Sequence, residues 1–158
     1  MAIPSRTQIM LASGFCTDII IADQITKWCF ATYKPEIIVI PDFLKLFYVE
    51  NRGIAFSLPL TGLPLQIVTI ILLGLIIYAI KKYKVYQDIY LYVCVMMILG
   101  GALGNAIDRI FRGFVVDFIS IGSFPVFNVA DSFVTIGGVG LVGYLWWKER
   151  KTPGASQE

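Results

Sequence analysis

Histidine is missing altogether from this 158-residue chain. Its absence excludes a Ser-His-Asp triad, a Cys-His nucleophile pair and an HExxH zinc helix, each of which needs an imidazole. Charge is scarce as well: Asp, Glu, Lys and Arg make up 15% of the residues, where soluble domains carry about a quarter. A chain that is 57% hydrophobic cannot face water all round with so little charge, so the composition points to a membrane. The net charge of +2 is too small to suggest nucleic acid, and no such partner is expected. Cysteine is limited to Cys16, Cys29 and Cys94, all within apolar segments and without CxxC spacing. They read as small buried hydrophobes, and neither a metal site nor a cofactor site is expected.

Long apolar runs are what the chain does have. A bilayer core of about 30 Å needs on the order of 20 helical residues, and four segments qualify, at roughly 9–30, 62–80, 89–107 and 129–147. The second is nearly pure hydrocarbon, and the fourth ends in Tyr144, Trp146 and Trp147, residues suited to a membrane–water boundary. Basic residues set the orientation. Arg6 precedes the first span, Lys81, Lys82 and Lys84 separate the second and third, and Lys148, Arg150 and Lys151 follow the fourth. This bias puts both termini in the cytoplasm and the longer loops, 31–61 and 108–128, outside. Arg6 and the apolar run after it resemble a cleavable leader ending near Cys16, but bulky Phe15 sits where a small residue is needed, so the first span is read as retained.

The expected fold is an all-α membrane protein of four transmembrane helices with a small extracytoplasmic β-sheet and loop region. One domain would cover residues 1–150, with 151–158 a flexible cytoplasmic tail. The sheet rests on two stretches: LKLFYVE (44–50), which alternates after Pro35 and Pro41 interrupt the helix, and FVVDFISI (114–121), which is rich in β-formers. Asn51-Arg52-Gly53 makes a turn before residues 54–57.

Charged groups in spans usually face a protein interior or a water-filled pocket. Asp23 and Lys27 stand at i and i+4, so they can pair, either as a structural ion pair or as a brace for a site. Gly101, Gly104, Asn105 and Asp108 share one face of the third span, where small residues admit a neighbouring helix. Arg109, Asp117 and Asp131 lie at the same outer depth, as does Asn51. Each has a plain structural alternative: Asn128 could cap the fourth helix with Asp131 at its third position, and Asp117 could be a loop charge. Asp18 lies roughly 140° around the helix from Asp23, at 100° per residue, and no role is assigned to it.

Two carboxylates held close together cannot easily both ionise, so the pair tends to keep one proton. The ionised member can take a proton from water while the protonated member polarises a carbonyl. That chemistry needs no histidine, thiol or metal. The residues alone also allow a proton-coupled transporter, which would string titratable groups across the whole bilayer, or a noncatalytic scaffold that uses the glycine face for packing.

The stretches DQITK (23–27), NRGIAFS (51–57), GGALGNAIDR (100–109), VVDF (115–118) and FNVAD (127–131), in this order, resemble the bacterial lipoprotein signal peptidases, or signal peptidase II. The resemblance implies a four-helix membrane aspartic peptidase of the bacterial cytoplasmic membrane, with its site near the outer face. Its substrates would be diacylglyceryl-modified prolipoproteins, cut just before the lipidated cysteine, and globomycin-type cyclic peptides would inhibit it. Carried over by position, the resemblance makes Asp117 and Asp131 the catalytic dyad. Asp23, Lys27, Asn51, Gly53, Asn105, Asp108, Arg109, Asn128 and Ala130 become the supporting or substrate-binding residues. Two departures stand out: the link Ile119–Val126 is shorter than in many members, and Asp18 matches no family motif.

Overall fold

A computed structural model describes residues 3–53 and 63–151. The motif residues 54–57 and the tail from 152 therefore lie outside the described residues.

Helix α1 runs from Arg6 to Tyr33. It opens on a capping box in which the Ser5 hydroxyl accepts from the Gln8 backbone and the Gln8 side chain accepts from the Ser5 backbone. It closes at Lys34, whose φ of 43° is left-handed, followed by Pro35, which cannot continue a helix. Strands β1 (Ile37–Ile40) and β2 (Leu44–Asn51) form an antiparallel pair, then come α2 (Leu63–Lys82) and α3 (Ile89–Phe111). Strand β3 (Val115–Ile121) and helix α4 (Val129–Lys151) complete the order. Helix α3 thus continues past the expected end of its span, and Asp108 and Arg109 sit on its last turn.

By length and composition, α1, α3 and α4 are able to cross a membrane. Helix α3 lies between α1 and α4 and touches both extensively, while α2 leans on α3. Glycine makes this close approach possible. A Cβ at Gly101 would run into the Ala130 carbonyl oxygen on α4, and one at Gly104 would come within 2.6 Å of the Asp23 carboxylate on α1. At the end of the bundle away from the carboxylates the contacts are apolar, with Ala12, Cys16, Val85, Tyr92 and Met96 buried together. A Ser13–Tyr92 hydrogen bond of 2.9 Å ties α1 to α3 there. At the other end polar groups replace the apolar core, since Lys27, Asp23 and Asn128 are wholly buried.

The sheet has the order β1-β2-β3, all antiparallel. β2 and β3 match the two sequence stretches, whereas β1 was not expected. All four of its residues are exposed and apolar, so it shows no alternation to read. Between Leu46 and Val49 the β2–β3 register shifts by one residue, so that Asp117 faces Val49 and Asn51 faces Val115. Side chains alternate with period two, so this bulge turns Asn51 to the same face as Asp117. Phe30 near the end of α1 stacks on Phe118, with centroids 4.3 Å apart, and anchors the sheet to the bundle.

Candidate active site

Asp117 and Asp131 reach the same place by separate local devices. After β3 the chain turns through Gly122, whose φ of 52° is left-handed, and returns so that Phe127 bridges Ile119. The Phe127 carbonyl accepts from the Phe118 and Ile119 amides at 3.0 and 2.8 Å. The short link between the two aspartates is therefore a tight return that sets Asn128 beside Asp117. Asn128 then starts α4 with a reciprocal cap: its Oδ1 accepts from the Asp131 amide at 2.9 Å, and Asp131 Oδ2 accepts from the Asn128 amide at 3.3 Å. The helix-cap reading of Asp131 is correct as geometry. The same cap also fixes the direction of its carboxylate.

Three asparagines supply donors to the two acids. Asp117 Oδ1 accepts from Asn128 Nδ2 at 2.6 Å, and its Oδ2 accepts from Asn51 Nδ2 at 2.9 Å. Asp131 Oδ1 accepts from Asn105 Nδ2 at 2.8 Å. Asn105 has its amide oriented by two donors on its oxygen, Lys27 Nζ at 2.8 Å and Asn128 Nδ2 at 3.1 Å. Its nitrogen is left to face Asp131.

Beneath this layer Lys27 serves as a hub, wholly buried. Its Nζ lies 2.8 Å from Asp23 Oδ2 and 3.2 Å from Asp108 Oδ2. Asp23 also accepts from the Ala130 amide at 2.9 Å, and Asp108 from the Val116 amide at 3.0 Å. One buried cation and two carboxylates thereby pin the first turn of α4 and the residue just before Asp117. Gly53 donates its amide to Asn51 Oδ1 at 3.1 Å, which holds the turn after β2.

Two supporting residues escaped the sequence reading. Gln24 Nε2 donates to the Gly104 carbonyl at 3.0 Å and to Asp23 at 3.1 Å, and Arg112 pairs with Asp108 Oδ1 at 3.0 Å. The available signals were the position of Gln24 beside Asp23 and the i, i+4 spacing of Asp108 and Arg112. Asp18 remains apart: it is exposed on α1, without a side-chain partner among the described residues.

A cavity of about 680 Å³ lies between α2, α3 and α4. Asn51, Asn105, Arg109 and Asp131 line it together with Thr69, Ser132 and Thr135, and Val68, Leu72, Ile76 and Phe127 contribute to a larger apolar part. Burial pushes the Asp117 carboxyl up to about 6, the Asn51 donor pulls against that rise, and the charge of Asp131 adds to it. Asp117 can therefore keep its proton in mildly acidic water. No group of His, Cys, Asp and Glu among the described residues is arranged to hold a metal ion.

Fold and site together define an integral membrane protein with a carboxylate pair where its helices meet a small sheet. A family model described as signal peptidase (SPase) II matches residues 15–147. The lipoprotein signal peptidase of Caldanaerobacter subterraneus is 44% identical over 132 residues, covering 80% of this chain and 89% of that protein. That of Listeria monocytogenes is 39% identical over 145 residues, covering 86% and 93%. A bacterial membrane enzyme solved at 2.3 Å superposes with a TM-score of 0.81 and 32% identity, over 99% of this chain and 98% of that one. The chain belongs to the signal peptidase II family, a family of membrane peptidases.

Proposed function

We propose that this protein removes the signal peptide from diacylglyceryl-modified prolipoproteins, cutting just before the lipidated cysteine, with Asp117 and Asp131 as an aspartic dyad. The observation that carries the reading is the pair itself. Two carboxylates from β3 and α4 are joined through Asn128, and Asp131 opens into a largely apolar cavity.

The ionised carboxylate removes a proton from water, and the resulting hydroxide attacks the scissile carbonyl carbon. The protonated carboxyl gives its proton to the carbonyl oxygen as the tetrahedral diol forms. Collapse of the diol breaks the C–N bond, and the leaving nitrogen collects a proton from the dyad. Asp131 lines the cavity and meets water there, while the more deeply buried Asp117 has the raised proton affinity. Asn51, Asn105 and Arg109 are suited to orient the peptide backbone, and Asp23, Lys27 and Asp108 brace the wall.

In the same reading α2 is a fourth span, both termini are cytoplasmic, and the site lies near the outer face of the bacterial cytoplasmic membrane. The lipid chains of the substrate would then stay in the bilayer while its peptide bond meets water. Globomycin-type cyclic peptides would compete for the cavity. The test is cleavage of a diacylglyceryl-modified prolipoprotein by purified wild type, Asp117→Asn and Asp131→Asn. Near-complete loss in both variants, with folding and membrane insertion retained, is expected. Substantial cleavage by either folded variant overturns the dyad.

A further inference from the structure

At the end of the bundle opposite the carboxylates, cations and aromatic rings follow a repeated spacing. Arg150 lies 3.8 Å from the centre of the Trp146 ring, Lys151 4.3 Å from Trp147, and Lys148 5.8 Å from Tyr144. At the end of α2, Lys82 stands 5.3 Å from the Tyr78 ring. In all four pairs the cation comes four residues after the ring, one helical turn farther from the apolar core. Rings of this kind settle at the headgroup boundary, so one turn beyond them is the depth of lipid phosphates.

The two helix ends belong to one surface. The α2–α3 connection leads from the end of α2 to Asp88, which caps α3 and accepts from Tyr144 at 2.7 Å and from Lys148 at 2.9 Å on α4. That tie uses up Asp88, leaving Glu149 as the acid on the last turn of α4. Lys81, Lys82, Lys84, Arg150 and Lys151 are exposed there, and none makes an ion pair with another described residue.

We infer that this surface binds anionic phospholipid headgroups, with the phosphodiester seated among the end of α2, Lys84 and the last turn of α4, and the acyl chains lying against the rings. The charge complementarity selects anionic over zwitterionic lipid. The ring contacts hold the cations at phosphate depth rather than letting them sweep through water. In the orientation proposed above this is the cytoplasmic leaflet, but the lipid preference does not depend on that orientation or on the dyad.

The test uses the full chain in nanodiscs that mix phosphatidylglycerol with phosphatidylcholine, with native mass spectrometry counting the lipids retained. Wild type should keep phosphatidylglycerol preferentially, and raised salt should weaken the preference. Each Lys or Arg near an anionic surface contributes roughly fivefold, so Arg150→Gln with Lys151→Gln should lower the preference by about tenfold or more, as should Lys82→Gln with Lys84→Gln. Prolipoprotein cleavage in neutral detergent should stay at the wild-type rate in both, since these residues are remote from the carboxylates. Equal retention of the two lipids by wild type, or a salt-insensitive preference, overturns the inference whatever the variants do. Full displacement of the lipid by inorganic phosphate shows a free-anion site instead and overturns it too.

Discussion

Lys27→Met tests whether the buried cation is a brace or a working part of the site. Met fills much of the volume of the lysine stem but brings no charge. The change takes the ammonium away from Asp23 Oδ2 at 2.8 Å, Asp108 Oδ2 at 3.2 Å and Asn105 Oδ1 at 2.8 Å, all in a region closed to solvent. Breaking a buried ion pair by removing one partner costs about 3–5 kcal/mol, because an uncompensated charge stays behind. Here the neighbours soften the loss: Asp108 keeps Arg112 and the Val116 amide, and Asp23 keeps Gln24 and the Ala130 amide. The lower half of that range is therefore expected. At about 2–4 °C per kcal/mol for a chain of this size, the unfolding midpoint should fall by roughly 6–16 °C. Asp23→Asn together with Lys27→Met should fall less than Lys27→Met alone, despite the extra substitution, because it removes one charge of each sign. Thermal unfolding in detergent, paired with turnover well below both midpoints, makes the measurement. An unchanged midpoint with lost turnover refutes the brace and makes Lys27 a group that acts on substrate.

Asp117 gives a pH prediction with a definite sign. Its folded value of about 6 lies above the 3.8 of an ordinary aspartate, so the folded state binds this proton more tightly. The stabilisation is fully present below about 3.8 and disappears as the pH rises through 6, a difference of about 3 kcal/mol. The midpoint of wild type minus that of Asp117→Asn should therefore fall between pH 4 and pH 7 in unfolding scans, and a flat or rising difference refutes it. Gly101→Ala should push α4 away from α3, because its Cβ meets the Ala130 carbonyl oxygen. We expect a loss of about 1–3 kcal/mol and a larger fractional loss of turnover, since Ala130 neighbours Asp131; wild-type stability would mean the helices can part freely. Asp18→Leu removes an exposed carboxylate of α1 that has no side-chain partner among the described residues. It should raise stability in bilayers by about 2.5–3.5 kcal/mol, and a loss instead would show that a partner covers Asp18.

Polar residues in apolar surroundings were the legible part of this site. Asp23, Lys27, Asn105, Asp108, Asp117 and Asp131 stand out in the sequence because lipid gives them no other reason to be there, and the structure brings all six into one hydrogen-bonded network. Strand β1 was not legible: Ile37–Ile40 has both faces exposed, so neither alternation nor burial marks it. Helix ends were read a few residues short because hydropathy follows the bilayer, while hydrogen bonding carries α3 on to Phe111. The contact of Gln24 with the Gly104 carbonyl depends on how two helices cross, which no local pattern encodes.

The least legible feature bears most directly on the proposed dyad. Asn51 can donate to Asp117 only because β2 carries an extra residue between Leu46 and Val49. In an unbroken ladder, Leu44 facing Ile121 would put Phe114 opposite Asn51, and Asn51 would point to the other face of the sheet from Asp117. The motif NRG therefore works through a register shift several residues upstream, in a stretch, FYV, that has no unusual composition. The short return after β3 acts likewise on Asn128: it sets the α4 cap against Asp117, so one residue caps the helix that bears the second aspartate and donates to the first. Helix capping and dyad geometry are thus a single constraint. A capping Asp131 is therefore compatible with the proposed catalytic one, since the cap is what aims the carboxylate.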